Sequence, residues 1–151
     1  MHYHNNDDSA SVNKVKEILD AKYSTEFKRT KEYSIFDLRD EKNKIFVEVK
    51  KRNNTKDKYP TTMVGENKFD KAKKYYDEGY KILFCFVFTD GIYYYEFCDE
   101  KLEKKLGGRR DRDRPEFKNY IYIPITKLKK LDVIQVRARC ASCDDGKIIS
   151  Q

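Results

Sequence analysis

Apolar positions along this chain keep two periods, and the switches between them mark the elements. Val12, Val15, Ile18 and Leu19 form one stripe at helical spacing, so a helix is predicted to run to about Lys22, capped by Ser9 or Ser11. Phe27 starts a short strand. Residues 33–38 alternate as a strand, with Ser34, Phe36 and Leu38 against Ile35 and Asp37, and residues 40–43 are turn-prone. Residues 45–50 form the next strand, with Phe46, Glu48 and Lys50 on its outward face and Val47 and Val49 on the other. A polar, basic loop follows over 51–60. A second helix is expected over 65–77, with Phe69, Ala72 and Tyr76 as its apolar stripe and Gly79 closing it. Residues 81–88 (KILFCFVF) are almost wholly apolar, as a strand covered on both faces requires. Thr89-Asp90-Gly91 turns the chain back into a partner strand over 92–97.

Beyond Phe97 the pattern weakens. Residues 101–118 are strongly basic, contain Gly107-Gly108, and read as a mobile loop. A short strand over 120–123 ends at Pro124, Thr126 caps a short helix through Leu131, residues 133–136 add an edge strand, and the tail 137–151 is poorly ordered. Helix, strands, helix and strands in this order predict an α/β fold, a mixed β-sheet flanked by helices. The length of 151 residues suits a single domain over 1–151, with its core at about 12–97 and accessory elements over 98–136.

Composition adds a direction. Lys and Arg number 33 against 26 Asp and Glu, a formal charge of +7. A positive field favours polyanionic partners such as nucleic acid or an anionic surface. The longest apolar run, 82–88, is too short to cross a bilayer, so no membrane partner is expected. The polar, acidic N-terminus lacks the pattern of a secretion signal. A cytoplasmic setting follows as the expectation, with nucleus or host cytoplasm for a viral protein, and reduced thiols at Cys85, Cys98, Cys140 and Cys143. Cys140 and Cys143 have metal-ligand spacing, but a second pair is lacking, since Cys85 belongs to the apolar strand and His2 and His4 to the loose N-terminus.

The chemistry concentrates in residues 35–51 (IFDLRDEKNKIFVEVKK). Glu48 and Lys50 share one strand face, and a hairpin between the two runs brings Asp37 beside Glu48. Two carboxylates with an adjacent ammonium make a natural site for one or two Mg²⁺ ions. The same three residues also suit a plain ion-pair network on an exposed hairpin, which carries little energy.

Asp37, the Glu48-Val49-Lys50 triplet and this element order resemble the PD-(D/E)xK nuclease superfamily, which includes restriction-type endonucleases, Holliday junction resolvases and many phage or viral nucleases. The resemblance covers roughly 12–97. Phe36 stands where the superfamily's name places proline. The resemblance implies a restriction endonuclease-like core and a Mg²⁺- or Mn²⁺-dependent nuclease hydrolysing DNA. A nuclease-fold protein that binds nucleic acid without cutting is the alternative. Asp37, Glu48 and Lys50 would be catalytic, and Asp37, Glu48 and the Val49 backbone carbonyl would hold metal. Some members add an acid from the first helix; Glu17 is the candidate, although its angular position, nearly opposite the apolar stripe, predicts a solvent-facing side chain. Lys51, Arg52, Lys68 and Lys71 would contact DNA. Arg109 and Arg110 would join them if the basic loop is a clamp rather than an ordinary insertion. Resolvases of this superfamily act as dimers, so a homodimer is among the possible assemblies.

Overall fold

A computed structural model describes residues 6–30, 36–109 and 116–131. In chain order the elements are α1 (Asn6–Tyr23), β1 (Lys28–Arg29), β2 (Leu38–Asp40), β3 (Ile45–Lys51), a 3₁₀ turn (Lys56–Lys58), β4 (Thr61–Gly65), α2 (Glu66–Asp77), β5 (Lys81–Phe88), β6 (Gly91–Glu96), β7 (Glu103–Arg109), β8 (Glu116–Pro124), a second 3₁₀ turn (Ile125–Lys127) and β9 (Lys129–Lys130). The main sheet has the order β1-β2-β3-β5-β6-β9, and a second sheet has the order β4-β8-β7. Among these pairings only β3–β5 is parallel.

Period-two alternation sorts the main sheet into two cores. Ile45, Val47 and Val49 of β3 and Leu83 and Cys85 of β5 pack with Val12, Val15, Ile18 and Leu19 of α1. On the opposite face Ile82, Phe84, Phe86 and Phe88 pack with Ala72 and Phe69 of α2 and with Val64 and Ile123 of the second sheet. This explains the unbroken apolar run of β5, whose neighbouring layers leave it no solvent face. Gly79, at φ +98°, closes α2 by donating its N–H to the Tyr76 carbonyl at 3.0 Å, a conformation that costs a β-carbon-bearing residue strain.

Several boundaries differ from the sequence expectation. α1 starts at Asn6, so Ser9 and Ser11 lie inside it and cap nothing, and Ser11 is buried. The strand expected over 33–38 begins only at Leu38, and residues 31–35 lie outside the described residues. The face of β3 expected to look outward is covered by α2, which leaves Glu48 2 % exposed. β4 emerges from a stretch too short to show periodicity by itself. Within the basic stretch 101–118, residues 103–109 and 116–118 belong to the strands β7 and β8, which pair along seven residues from Glu103↔Tyr122 to Arg109↔Glu116, and residues 110–115 lie outside the described residues. Exposed edge strands need no apolar alternation, because cross-strand backbone hydrogen bonds define them. The helix expected from Thr126 to Leu131 is a 3₁₀ turn followed by β9, and this extended path sends Leu128 to one core and Leu131 to the other. The expected strand over 133–136 and the tail lie outside the described residues.

Phe84 is fully buried, with ring centroids 5.3 Å from Phe69 and 6.5 Å from both Phe36 and Tyr95. Phe84→Ala is expected to cost about 3–5 kcal/mol. Urea denaturation followed by circular dichroism checks this; a loss below about 1 kcal/mol would contradict the packing.

Candidate active site

Asp37 immediately precedes β2 and is fixed from three sides. Its N–H donates to the Val47 carbonyl at 2.9 Å, and the Thr30 N–H donates to its own carbonyl at 3.0 Å. The Thr30 hydroxyl donates to the neighbouring Phe36 carbonyl. Pairing of β2 with β3 stops at Leu38↔Val47, which leaves the Val49 N–H beyond the ladder. That N–H donates to Asp37 Oδ2 at 2.8 Å, so the carboxylate takes the place of a strand partner. The N–H and C=O of a strand residue point to the same edge, so the Val49 carbonyl also faces the Asp37 side.

Glu48 rises from the other face of β3, opposite Phe84 on β5. Lys50 Nζ lies 3.3 Å from its Oε2, and Lys68 Nζ, from the first turn of α2, lies 3.3 Å from its Oε1. Burial and, next, the Asp37 charge raise the Glu48 pKa from 4.5 to about 6, against the pull of the two lysines. The buried Cys85 thiol is pushed up as well, by burial and then by the Asp37 and Glu48 charges. Neighbouring carboxylates with this mutual repulsion, joined by a backbone carbonyl, are all hard oxygen donors and fit a small divalent cation. Among the described residues no cluster of three or more His, Cys, Asp or Glu side chains adds to them.

Lys50 and Lys68 also line a groove of about 850 Å³ between β3, α2 and the second sheet. Arg52, Lys56 and Lys118 are its other cations, and no carboxylate is among its described lining residues. Gly65 and Asn67, at the N-terminal end of α2, line it too.

The remaining sequence candidates distribute unevenly. Arg52 is committed to structure: Nε donates to Thr62 Oγ1 at 3.2 Å, Nη2 to the Met63 carbonyl at 2.6 Å, and the guanidinium lies 5.5 Å from the centre of the Phe86 ring. Burial lowers its pKa, which the Glu48 charge opposes. Lys51 and Lys71 are exposed and do not line the groove. Glu17 is exposed on α1, and the charges acting on Glu48 come from Asp37, Lys50 and Lys68. Arg109 ends β7, and Arg110, Cys140 and Cys143 lie outside the described residues. Sequence reasoning missed Lys56 and Lys118 as groove residues. Lys118 had a signal, because Lys118, Tyr120 and Tyr122 alternate with Asn119, Ile121 and Ile123.

The raised Glu48 pKa has a defined sign. Below pH 4.5 the group is protonated in both folded and unfolded chains and costs nothing. Between pH 4.5 and about 6 the unfolded chain ionises while the fold still holds the proton, so the metal-free protein loses about 2 kcal/mol across that window and no more above it. Glu48→Gln in EDTA is therefore expected to gain stability over the parent above pH 6, with the gain fading toward pH 4.5. Thermal unfolding across that window checks it; a difference independent of pH would contradict the assignment.

A family model described as "Phage putative PDDEXK endonuclease" matches residues 1–131. No curated protein and no solved structure matches the chain significantly. The mixed sheet flanked by helices agrees with the restriction endonuclease-like core expected from the Asp37 and Glu48-Val49-Lys50 pattern. The chain belongs to this phage family of PD-(D/E)xK nucleases.

Proposed function

We propose that the protein is a metal-dependent nuclease that hydrolyses DNA phosphodiester bonds at Asp37, Glu48 and Lys50. The observation that carries this reading is a 2 % exposed carboxylate, Glu48, set near Asp37 and held between Lys50 and Lys68 beside a cationic groove. A charge is buried at a cost, and a buried acid beside a second acid at a groove marks a site more often than a scaffold.

Asp37, Glu48 and the Val49 carbonyl would hold Mg²⁺ or Mn²⁺. The chemistry such a cation supplies is stabilisation of charge at the phosphate and a more acidic water. The chain's own residues do the rest. Asp37 is fixed by its bond to the Val49 N–H, so a donor and its support move as one unit. Lys50, 37 % exposed at its side chain, presents an ammonium to the developing oxyanion. Lys68, Lys118 and the first N–H groups of α2 hold flanking phosphates, where the helix end adds positive potential.

One observation favours a second reading, a nuclease-fold DNA binder that does not cut. Both Glu48 oxygens are already ion-paired with lysines. Under that reading the lysines hold Glu48 permanently, and groove binding stands without turnover.

The test uses supercoiled plasmid, linear duplex and a four-way junction with Mg²⁺, Mn²⁺ or EDTA. Metal-dependent cutting is expected, reduced at least ~100-fold in each of Asp37→Ala, Glu48→Ala and Lys50→Ala with the circular dichroism spectrum intact. Undiminished cutting by Glu48→Ala would remove the site assignment. Binding with no cutting under any condition would select the second reading.

A further inference from the structure

The second sheet is two-faced. Thr62 and Val64 of β4 and Ile121 and Ile123 of β8 are buried. The other face carries Lys118, Tyr120 and Tyr122 along β8, set against Met63 and Gly65 of β4 and against Lys105 and Gly107 of β7. Tyr120 and Tyr122 are half-buried and line the same groove as Lys50 and Lys68; Tyr59, on the loop before β4, lines it also and is 53 % exposed. A β-carbon on Gly107 would meet Tyr120 Cδ2 at 2.8 Å, so the glycine lets the ring lie down against β7. Lysine ammoniums stand over the rings, Lys118 at 5.4 Å from the centre of Tyr120 and Lys105 at 5.3 Å from that of Tyr122. The one acid on this face of β7, Glu103, pairs with Lys105 at 3.3 Å.

We infer that this face is a platform for a single-stranded DNA segment lying next to the scissile phosphate. Unpaired bases stack on Tyr120 and Tyr122, and phosphates follow Lys118 and Lys68 toward Glu48. The inference rests on the nuclease reading and names its substrate class: DNA with an unpaired stretch, such as a flap, fork or single-stranded end. Stacking decides for a single strand over continuous duplex. Tyrosine faces on a sheet stack only on bases that are not already stacked in a helix, and an aromatic surface interleaved with cations is how sequence-tolerant single-strand binders work. The groove, about 850 Å³, runs continuously from these rings to Lys50 and Lys68. Its cations complement phosphate with no described lining carboxylate opposing them.

The experiment measures fluorescence anisotropy of a labelled oligothymidylate of roughly a dozen nucleotides, and of a duplex of equal length, with the full chain in EDTA. Single strand is expected to bind at least about tenfold more tightly than duplex. Replacing both rings, Tyr120→Leu with Tyr122→Leu, is expected to weaken single-strand binding about 10- to 100-fold and to leave duplex binding unchanged. The Phe counterparts keep the stacking surface and should restore binding. Tyr59→Ala, on the exposed wall, gives the same readout if the Leu pair melts early. Equal affinity for the two DNAs, or unchanged binding in every ring variant, would overturn the platform. Metal-dependent cutting of plain duplex would survive that failure, whereas no cutting of any DNA with either metal would overturn the nuclease reading and leave the platform standing.

Discussion

Parallel pairing of β3 with β5 is the constraint on which the rest of the structure depends. Two parallel strands cannot be joined by a hairpin; the chain must leave one end of the sheet and return at the other. Here the return path supplies β4 and α2. That crossover covers the face of β3 bearing Phe46, Glu48 and Lys50. It turns a strand face with two charged residues from a surface feature into a lined site. The same path gives the second sheet its first strand, so the groove wall and the buried acid have one topological origin.

The electrostatics follow from that burial. Glu48 is desolvated by burial and sits in the field of Asp37, and both effects favour its neutral form. Lys50 and Lys68 work against them from opposite carboxylate oxygens. A divalent cation would relieve the same repulsion more strongly than two exposable ammoniums. Asp37 is placed differently, just before β2 and between β1 and β3, where it satisfies a backbone N–H that the end of β2 leaves unpaired. One acid is thus positioned by burial and the other by a backbone hydrogen bond.

Arg52 illustrates how position alters a residue's role. Next to Lys51 in a basic loop it reads as a phosphate contact. In the fold its guanidinium bridges the end of β3 to β4 through Thr62 and Met63 and rests on Phe86. Its contribution to the groove is to hold the two sheets together at the mouth of the site. Lys118, about twenty residues beyond the core the sequence suggested and more than sixty from Lys50, lines the same groove as Lys50 and Arg52. Such a pairing is set by strand β8 returning beside β4.

The sequence by itself determined the α1 stripe, the α2 stop at Gly79, the doubly covered β5, the turn before β6, and the chemical identity of the Asp37, Glu48 and Lys50 set. Each is a local pattern: a period, a glycine at positive φ, or an acid-x-lysine triplet in an apolar run. Tertiary structure decided which face of β3 is buried, because that depends on where the crossover packs and not on β3's own alternation. It also decided that residues 103–109 and 116–124 join β4 in a second sheet. β7 is an edge strand whose described side chains are mostly exposed, so it is held by hydrogen bonding to β8, and β8 is placed in turn by β4, far earlier in the sequence. Leu128 and Leu131, spaced as a helical stripe, lie in two different cores for the same reason: an extended segment at a sheet edge reaches both faces, and only the assembled sheet makes that edge.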